Sequence, residues 1–257
     1  MNEKKIGIVV LGTNAYFPLL VRFVKRFMQF YKGKREIKFF LFTDIDPKDS
    51  IPEGIDIKYI HTTNKSWVDG TNLKFSSILS IKDEDVKWIY YFDADTNINK
   101  DFTEDWFLGD SVAGQHYGDQ GIMLEKGRPY ERNPRSKAYI PKDTNLPQTY
   151  LYGAFWGGGK EWVINFCQTM LDWQKADKSW GYEPAVNDES FSNAYFHYNP
   201  PSKIVKSNEF KFLISDKGGI GETRNMKLNI EKFKQDLILY KNNNINIAHG
   251  KVVCDDC

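Results

Sequence analysis

The first 95 residues alternate between short apolar runs and segments in which apolar positions recur at a helical spacing. Residues 6–11 and 37–43 are nearly continuous apolar runs, which is typical of buried parallel strands. Residues 17–31 carry apolar side chains at positions 17, 20, 24, 27, 28 and 31, a spacing that predicts a helix with one buried face. These elements indicate a strand, a helix and a second strand at the start of the chain.

The same half of the chain continues with two more predicted strands and a helix. Residues 55–60 alternate like a half-buried strand, residues 72–81 read as a helix, and residues 88–92 form another apolar strand. The resulting β-α-β-β-α-β order predicts an α/β fold with a mostly parallel central sheet flanked by helices. In open sheets of this kind, ligands bind beyond the carboxyl ends of the strands.

The pattern becomes less regular after residue 100. Clusters of glycine and proline interrupt it, and two helices are predicted. The clusters lie near residues 109–121, 127–134 and 157–159, and the helices cover 161–175 and 188–196. Since no repeat or low-complexity linker divides the chain, we expect a single domain over 1–257, in which the less regular half, 96–257, supplies the second side of the ligand cleft formed with 1–95.

Charge and composition exclude several classes of protein. With 35 basic and 34 acidic residues the net charge is +1, unlike the strongly basic balance of a general nucleic-acid-binding protein. No run approaches the roughly 18 to 20 apolar residues that span a bilayer, and the first residues lack a signal-peptide core. We therefore expect a cytoplasmic protein without a membrane span; oligomeric state is not predicted. We interpret Cys254 and Cys257 as tail residues, with a metal or redox role as the alternative.

The strand at 88–92 is followed by Asp93-Ala-Asp95. Two carboxylates separated by one residue at a strand end can converge on one Mg²⁺ or Mn²⁺ ion, which can also hold a diphosphate. In a nucleotide-sugar enzyme the metal would neutralise charge on the leaving diphosphate. The alternative is that the acidic pair only caps a turn.

Four ordered motifs point to one family. Residues 130–142 read Tyr-Glu-Arg-Asn-Pro-Arg-Ser-Lys-Ala-Tyr-Ile-Pro-Lys, residues 150–158 read Tyr-Leu-Tyr-Gly-Ala-Phe-Trp-Gly-Gly, and residues 187–190 read Asn-Asp-Glu-Ser. Together with residues 93–95, they resemble glycosyltransferase family 6, which includes the blood-group A and B transferases. The likeness, which also takes in Trp67-x-Asp69, runs from about residue 5 to about 205. It implies a GT-A fold and transfer of α-galactose or α-N-acetylgalactosamine from UDP to a glycan acceptor, with retained configuration.

The resemblance also implies roles for individual residues. Glu189 matches the catalytic glutamate, and Asp93 and Asp95 match the carboxylates that hold Mn²⁺ (or Mg²⁺) and the diphosphate. Lys74 stands where the family usually has Arg, and Tyr152 is bulky enough to favour UDP-galactose over UDP-N-acetylgalactosamine. The implied donor-binding residues are Tyr16, Trp67, Lys74, Asp93, Ala94, Asp95, Tyr152, Gly153, Ala154 and Asp188, and the implied acceptor-binding residues are Gln115, His116 and Tyr117.

Several of these residues have a structural alternative. Asn187 is a good N-cap, and Asp188 and Glu189 would suit the first turn of a helix through its dipole alone. Tyr16 and Trp67 can be core aromatics. Residues 130–141 can be chiefly a structural loop that supports the site.

The resemblance fades after residue 205. Residues 245–251 instead resemble the terminal His-x-Gly-x-x-Lys arrangement of other retaining GT-A enzymes, with tighter spacing. His249 would then complete the metal site and Lys251 would reach the diphosphate as a donor-binding residue; the alternative is a His in a frayed tail. Two other functions stay open, a metal-dependent nucleotidyltransferase and a non-catalytic carbohydrate-binding homologue.

Overall fold

Seven strands and four α-helices make up the described part of the chain. In this computed structural model that part comprises residues 5–64, 67–96, 98, 100–116, 119, 127–146 and 148–206, without the side chains of 15, 67–69 and 71. In chain order the elements are β1 (Ile6–Leu11), α1 (Phe17–Phe30), β2 (Ile37–Thr43), β3 (Ile57–His61), α2 (Trp67–Ser80), β4 (Trp88–Asp93), β5 (Ser111–Gln115), β6 (Leu151–Gly159), α3 (Lys160–Lys178), α4 (Asn187–Tyr198) and β7 (Lys203–Val205).

The described strands form one mostly parallel sheet in the order β3-β2-β1-β4-β6-β5-β7. Strands β1 to β4 are mutually parallel, β6 runs antiparallel to both β4 and β5, and β7 is parallel to β5. The predicted β-α-β-β-α-β order and the mixed α/β fold are therefore confirmed. Since parallel strands end at the same edge of a sheet, Leu11 and Asp93 pair side by side at their carboxyl ends.

The predicted break at 157–159 is wrong, because these glycines end strand β6. Gly157 pairs with Tyr90 of β4, and a Cβ at Gly157 would lie 2.3 Å from Tyr90 Cδ1. A larger residue could not lie so close to this aromatic strand. Here glycine allows close packing inside the sheet instead of marking a turn.

The sheet separates two apolar layers. One layer packs α1 against Ile8, Leu41 and Phe92, and the other packs α2, α3 and α4 against side chains such as Phe40 and Trp156 on the opposite face. This arrangement follows from the alternation of side chains along each strand. In the described part of the chain, every helix falls short of the length and apolar character needed to cross a bilayer.

Helix α1 buries a face slightly rotated from the predicted one. Phe23 and Leu19 join the core, whereas Met28, predicted to be buried, is 36% exposed. Phe27 lies at the centre of this layer, with its ring 5.4 Å from the Phe39 ring and 5.0 Å from the Phe102 ring. The helix therefore docks on the sheet mainly through phenylalanine contacts.

We expect Phe27→Ala to lower the free energy of unfolding by about 3 to 5 kcal/mol, because it removes a buried ring and leaves a cavity. Urea denaturation measures this change. Met28→Ala on the same helix is the control and should change stability by less than about 1 kcal/mol. Equal effects of the two substitutions would contradict the orientation of α1.

Candidate active site

Two acidic side chains lie at the carboxyl end of β4. Asp93 is the last residue of the strand, and its Oδ1 accepts a hydrogen bond of 2.7 Å from the Tyr91 hydroxyl. Asp95 follows two residues later. Burial and then the negative charge of Asp93 raise the pKa of Asp95 to about 7, which shows that the two carboxylates repel each other in poorly solvated surroundings.

A buried lysine connects these carboxylates to helix α4. Lys74 of α2 is only 3% exposed, and its Nζ lies 2.7 Å from Asp188 Oδ2 and 3.9 Å from Asp93 Oδ1. The same ammonium lies 4.7 Å from the centre of the Tyr91 ring. Burial lowers the pKa of Lys74, but the charges of Asp188 and Asp93 outweigh burial and raise it overall, so the lysine stays protonated.

Helix α4 begins with strained backbone next to its acidic residues. Asn187 has φ of +40°, in the left-handed region, and the N-cap is Val186, without a side-chain cap. The expectation that Asn187 caps the helix is therefore wrong. Residues held in such conformations cluster at functional sites, where the surrounding structure fixes them. Here the strained residue directly precedes Asp188 and Glu189.

The carboxylate of Glu189 is held by the backbone of β6. The Gly153 N–H donates a hydrogen bond of 2.7 Å to Glu189 Oε2, and a Cβ at Gly153 would lie 2.9 Å from that oxygen. Burial raises the pKa of Glu189 to about 7, and the Gly153 hydrogen bond opposes this rise. Glu189 is thus a carboxylate that can ionise near neutral pH in a fixed position.

A bulge in β6 makes this hydrogen bond possible. Along β5, Ala113 pairs with Trp156 but the next residue, Gly114, pairs with Tyr152. Residues 153–155 are therefore extra on β6 at this step, and the sheet register shifts. Bulges of this kind re-aim backbone and side chains next to active sites.

Asn193 fastens α4 to the start of β6. Its Nδ2 donates to the backbone oxygens of Leu151 and Glu189, at 2.9 Å each, and its Oδ1 accepts from the Leu151 N–H at 2.8 Å. The side chain is 3% exposed. These three hydrogen bonds fix the position of Glu189 relative to Gly153.

On the other side of the acidic pair lie two side chains from the first helical region. Burial, followed by the negative charges of Asp95 and Asp93, raises the pKa of Tyr16. The Arg22 guanidinium also acts on Asp95 electrostatically and opposes its protonation. Tyr16 and Arg22 therefore both interact electrostatically with the acidic pair, and Arg22 is a residue that the sequence did not single out.

Two of the predicted acceptor residues, Gln115 and His116, lie at the end of β5, and His116 contacts Tyr152. Gln115 Nε2 donates to the buried Asp119 at 2.8 Å, and the His116 ring packs edge-on against Tyr152 with centroids 5.1 Å apart. Burial lowers the pKa of His116 to about 4, so this imidazole is neutral at physiological pH. Asp119 also forms an ion pair with Arg128 at 2.5 Å, which fixes the loop after β5.

The two carboxylates of Asp93 and Asp95 suit a divalent cation, because both supply the hard oxygen ligands that Mn²⁺ and Mg²⁺ prefer and a cation would relieve their repulsion. Within the residues that the structure describes, no group of three or more His, Cys, Asp or Glu side chains is arranged around a common point. The two aspartates would therefore hold such an ion together with donor oxygens or with a ligand from elsewhere in the chain.

The structure brings together most residues singled out in the sequence. The exceptions are of two kinds. Ala94 and Ala154 are 2% and 3% exposed, with the Ala94 methyl in the core on the α1 side, so their backbone would contact a donor. Trp67 lies in α2, but its side chain is not described, and Tyr117, His249 and Lys251 lie outside the described residues.

Five side chains at the site were not predicted as site residues: Arg22, Tyr91, Asp119, Tyr150 and Asn193. Tyr91 shares a strand face with Asp93, so period-two alternation was a usable signal. Asp119 accepts a hydrogen bond from Tyr150, which is 31 positions away in the sequence. Asn193 accepts one from Leu151, which is 42 positions away. Local spacing carries no information about such contacts.

Comparison with known proteins agrees with this geometry. Residues 1–232 match the model of glycosyltransferase family 6. Similar curated proteins include a globoside α-1,3-N-acetylgalactosaminyltransferase 1 from Gallus gallus, 29% identical over 78% of this chain and 60% of that protein. A histo-blood group ABO system transferase 1 from Rattus norvegicus is 24% identical over 80% of this chain and 60% of its own length. The O-antigen biosynthesis glycosyltransferase WbnI from Escherichia coli is 25% identical over 64% of this chain and 70% of its own length.

The chain thus spans about 60% of the length of the first two of these relatives. The sheet order, with a mostly parallel sheet and acidic residues after β4, is consistent with a GT-A type transferase. Because the family match covers most of the chain and includes every described element, this chain belongs to glycosyltransferase family 6.

Proposed function

We propose that this protein transfers galactose or N-acetylgalactosamine from UDP to a glycan hydroxyl with retention of anomeric configuration, with the help of Mn²⁺ or Mg²⁺. The observation that supports this most directly is the fixed carboxylate of Glu189. It is held at 2.7 Å by Gly153 N–H and lies next to the Lys74–Asp188 pair. A retaining transferase needs such a carboxylate on the face of the sugar opposite the leaving diphosphate.

The acidic pair after β4 would bind the diphosphate end of the donor. Asp93 and Asp95 would hold the cation, which would neutralise charge on the leaving group when bound. Lys74 stays charged and buried between Asp93 and Asp188, so it orients both carboxylates instead of reaching out to solvent. Tyr16, beside the acidic pair, would contact the nucleoside part of the donor.

Glu189 would act on the anomeric carbon. Its burial keeps water from screening its charge, so an ionised Glu189 stabilises positive charge developing on the sugar more strongly than a solvated carboxylate would. The same carboxylate has the position that a nucleophile requires. Either role needs the ionised form, and because the pKa of Glu189 is about 7, activity should rise as the pH increases through that value.

The acidic pair predicts metal dependence. EDTA should abolish transfer, and Mn²⁺ should restore it at least as well as Mg²⁺. Asp95→Asn should lower activity at least about a hundredfold, or about 2.7 kcal/mol of transition-state stabilisation. Asp101→Asn is the control, since Asp101 is an exposed aspartate after the same strand. Full activity in EDTA would show that no metal is needed.

The surroundings of Tyr152 predict the donor. His116 packs edge-on against the Tyr152 ring and limits its movement, so the ring would crowd a 2-acetamido group. We expect kcat/KM to be higher for UDP-galactose than for UDP-N-acetylgalactosamine. The difference in activation free energy between the two donors should be about 1 to 3 kcal/mol, which is what one steric contact supplies. Tyr152→Leu should reduce the ratio, whereas Tyr152→Phe should preserve it. A wild-type preference for N-acetylgalactosamine would mean that Tyr152 does not face the sugar.

The fixed carboxylate predicts the effect of neutralising it. Glu189→Gln keeps the shape of the side chain but removes its charge, so kcat should fall about a hundredfold to a thousandfold while UDP affinity stays the same. The control is Glu161→Gln, another first-turn glutamate, at the start of α3. A helix-dipole role alone would give both variants nearly normal turnover and a stability loss of about 0.3 to 1 kcal/mol.

A further inference from the structure

Tyr150, just before β6, is a fully buried tyrosine next to the proposed catalytic carboxylate. Its side chain is 0% exposed. The ring centroid lies 5.4 Å from that of Tyr130 and 5.7 Å from that of His116. The ring is therefore fixed from two sides by other rings.

The backbone of Tyr150 is also fixed. Its N–H donates to Asp119 Oδ1 at 3.1 Å, and its carbonyl oxygen accepts from the His116 N–H at 2.9 Å. Asp119 is itself held by Arg128, so Asp119 and His116 anchor this residue on both sides of its Cα. The ring and the backbone of Tyr150 are thus both held in place.

The Tyr150 hydroxyl interacts with the carboxylate of Glu189, without the distance and angle of a well-formed hydrogen bond. After burial, the negative charge of Glu189 is the strongest influence that raises the pKa of Tyr150. Among the described residues, however, the buried hydroxyl has no hydrogen-bond partner of good geometry. Buried hydroxyl groups in native proteins are normally paired, so an orphan donor directed at a carboxylate calls for an explanation.

We propose that Tyr150 is a positioning residue whose hydroxyl donates a hydrogen bond to the ionised carboxylate of Glu189 and keeps it oriented for catalysis. This inference rests on the proposed function of Glu189. Gly153 already fixes one oxygen of the carboxylate, and a second donor from Tyr150 would fix its rotation. A hydrogen bond to a charged acceptor is stronger than one between neutral groups, which suits a side chain that must hold charge in a buried place.

Other charged groups also act on Glu189. Asp188 disfavours its ionised form and Lys74 favours it, while the Gly153 hydrogen bond and the nearby Tyr150 hydroxyl both lower its pKa. Removing the Tyr150 hydroxyl leaves the contributions of Asp188, Lys74 and Gly153 in place. A change in the titration of Glu189 in Tyr150→Phe would therefore report on that hydroxyl.

The first test is Tyr150→Phe, which removes the hydroxyl and keeps the ring. UDP release from UDP-galactose and from UDP-N-acetylgalactosamine is measured with Mn²⁺ across pH. We expect kcat to fall about tenfold at neutral pH while KM for the donor stays unchanged. The midpoint of the pH–activity profile should move upward by about one pH unit. The control is Tyr130→Phe, which removes the hydroxyl from the ring that packs on Tyr150. It should leave kcat and the pH midpoint unchanged.

A double variant separates this inference from the proposed function. If Tyr150 acts through Glu189, Tyr150→Phe should have little further effect in a Glu189→Gln background. A near-normal Glu189→Gln enzyme would overturn the proposed function itself. A strongly impaired Glu189→Gln enzyme beside a normal Tyr150→Phe enzyme would overturn only the role of Tyr150.

A measurement without turnover completes the test. Carboxyl-carbon NMR of protein with labelled glutamate, assigned with Glu189→Gln, gives the pKa of Glu189 directly. It should be about 7 in the natural protein and higher in Tyr150→Phe. An unchanged value in a variant with the natural melting temperature would overturn the proposal.

Discussion

The site depends on one buried ammonium. Lys74 is almost fully enclosed, and a buried charge is strongly destabilising unless opposite charges and hydrogen bonds compensate it. Asp188 at 2.7 Å, Asp93 at 3.9 Å and the Gly153 carbonyl at 3.4 Å supply that compensation. They come from α4, β4 and β6, while the lysine comes from α2. Four elements therefore have to meet at this point for the charge to be tolerated. As a result, Asp93 at the end of β4 and Asp188 at the start of α4 are aligned around the same ammonium.

This cluster also explains why the site can be organised before a ligand arrives. Breaking one partner of a buried ion pair leaves the other uncompensated, so Lys74 and Asp188 hold each other in place. Glu189 follows Asp188 in the chain, so its backbone is held in place as well. Gly153 then hydrogen-bonds its carboxylate and Asn193 its carbonyl oxygen, which fixes its position further. Oriented charge that needs no rearrangement during reaction is the most effective electrostatic contribution to catalysis.

Much of the fold could be predicted because its signals are local. The apolar runs of β1 and β2 agree with the structure residue for residue, and the acidic pair lies at the strand end where it was expected. Strand β6 was missed because its terminal glycines look like a break, whereas tertiary packing against Tyr90 requires them. Tyr150 and Asn193 were missed as site residues for another reason. Their partners are distant in sequence, and only the assembled sheet brings them together.

The bulge in β6 has a consequence for how this enzyme can diversify. Residues 153–155 lie outside the pairing with β5, although Ala154 and Phe155 are buried and Phe155 still pairs with Phe92 of β4. Tyr152, which is only partly buried where the bulge begins, is therefore the position in this stretch where a side chain can be exchanged with the least disturbance of the core. Gly153 is the opposite case, since any side chain would displace the carboxylate of Glu189. A short stretch of strand thus combines one position that only glycine can occupy with an adjacent position whose side chain is free to vary.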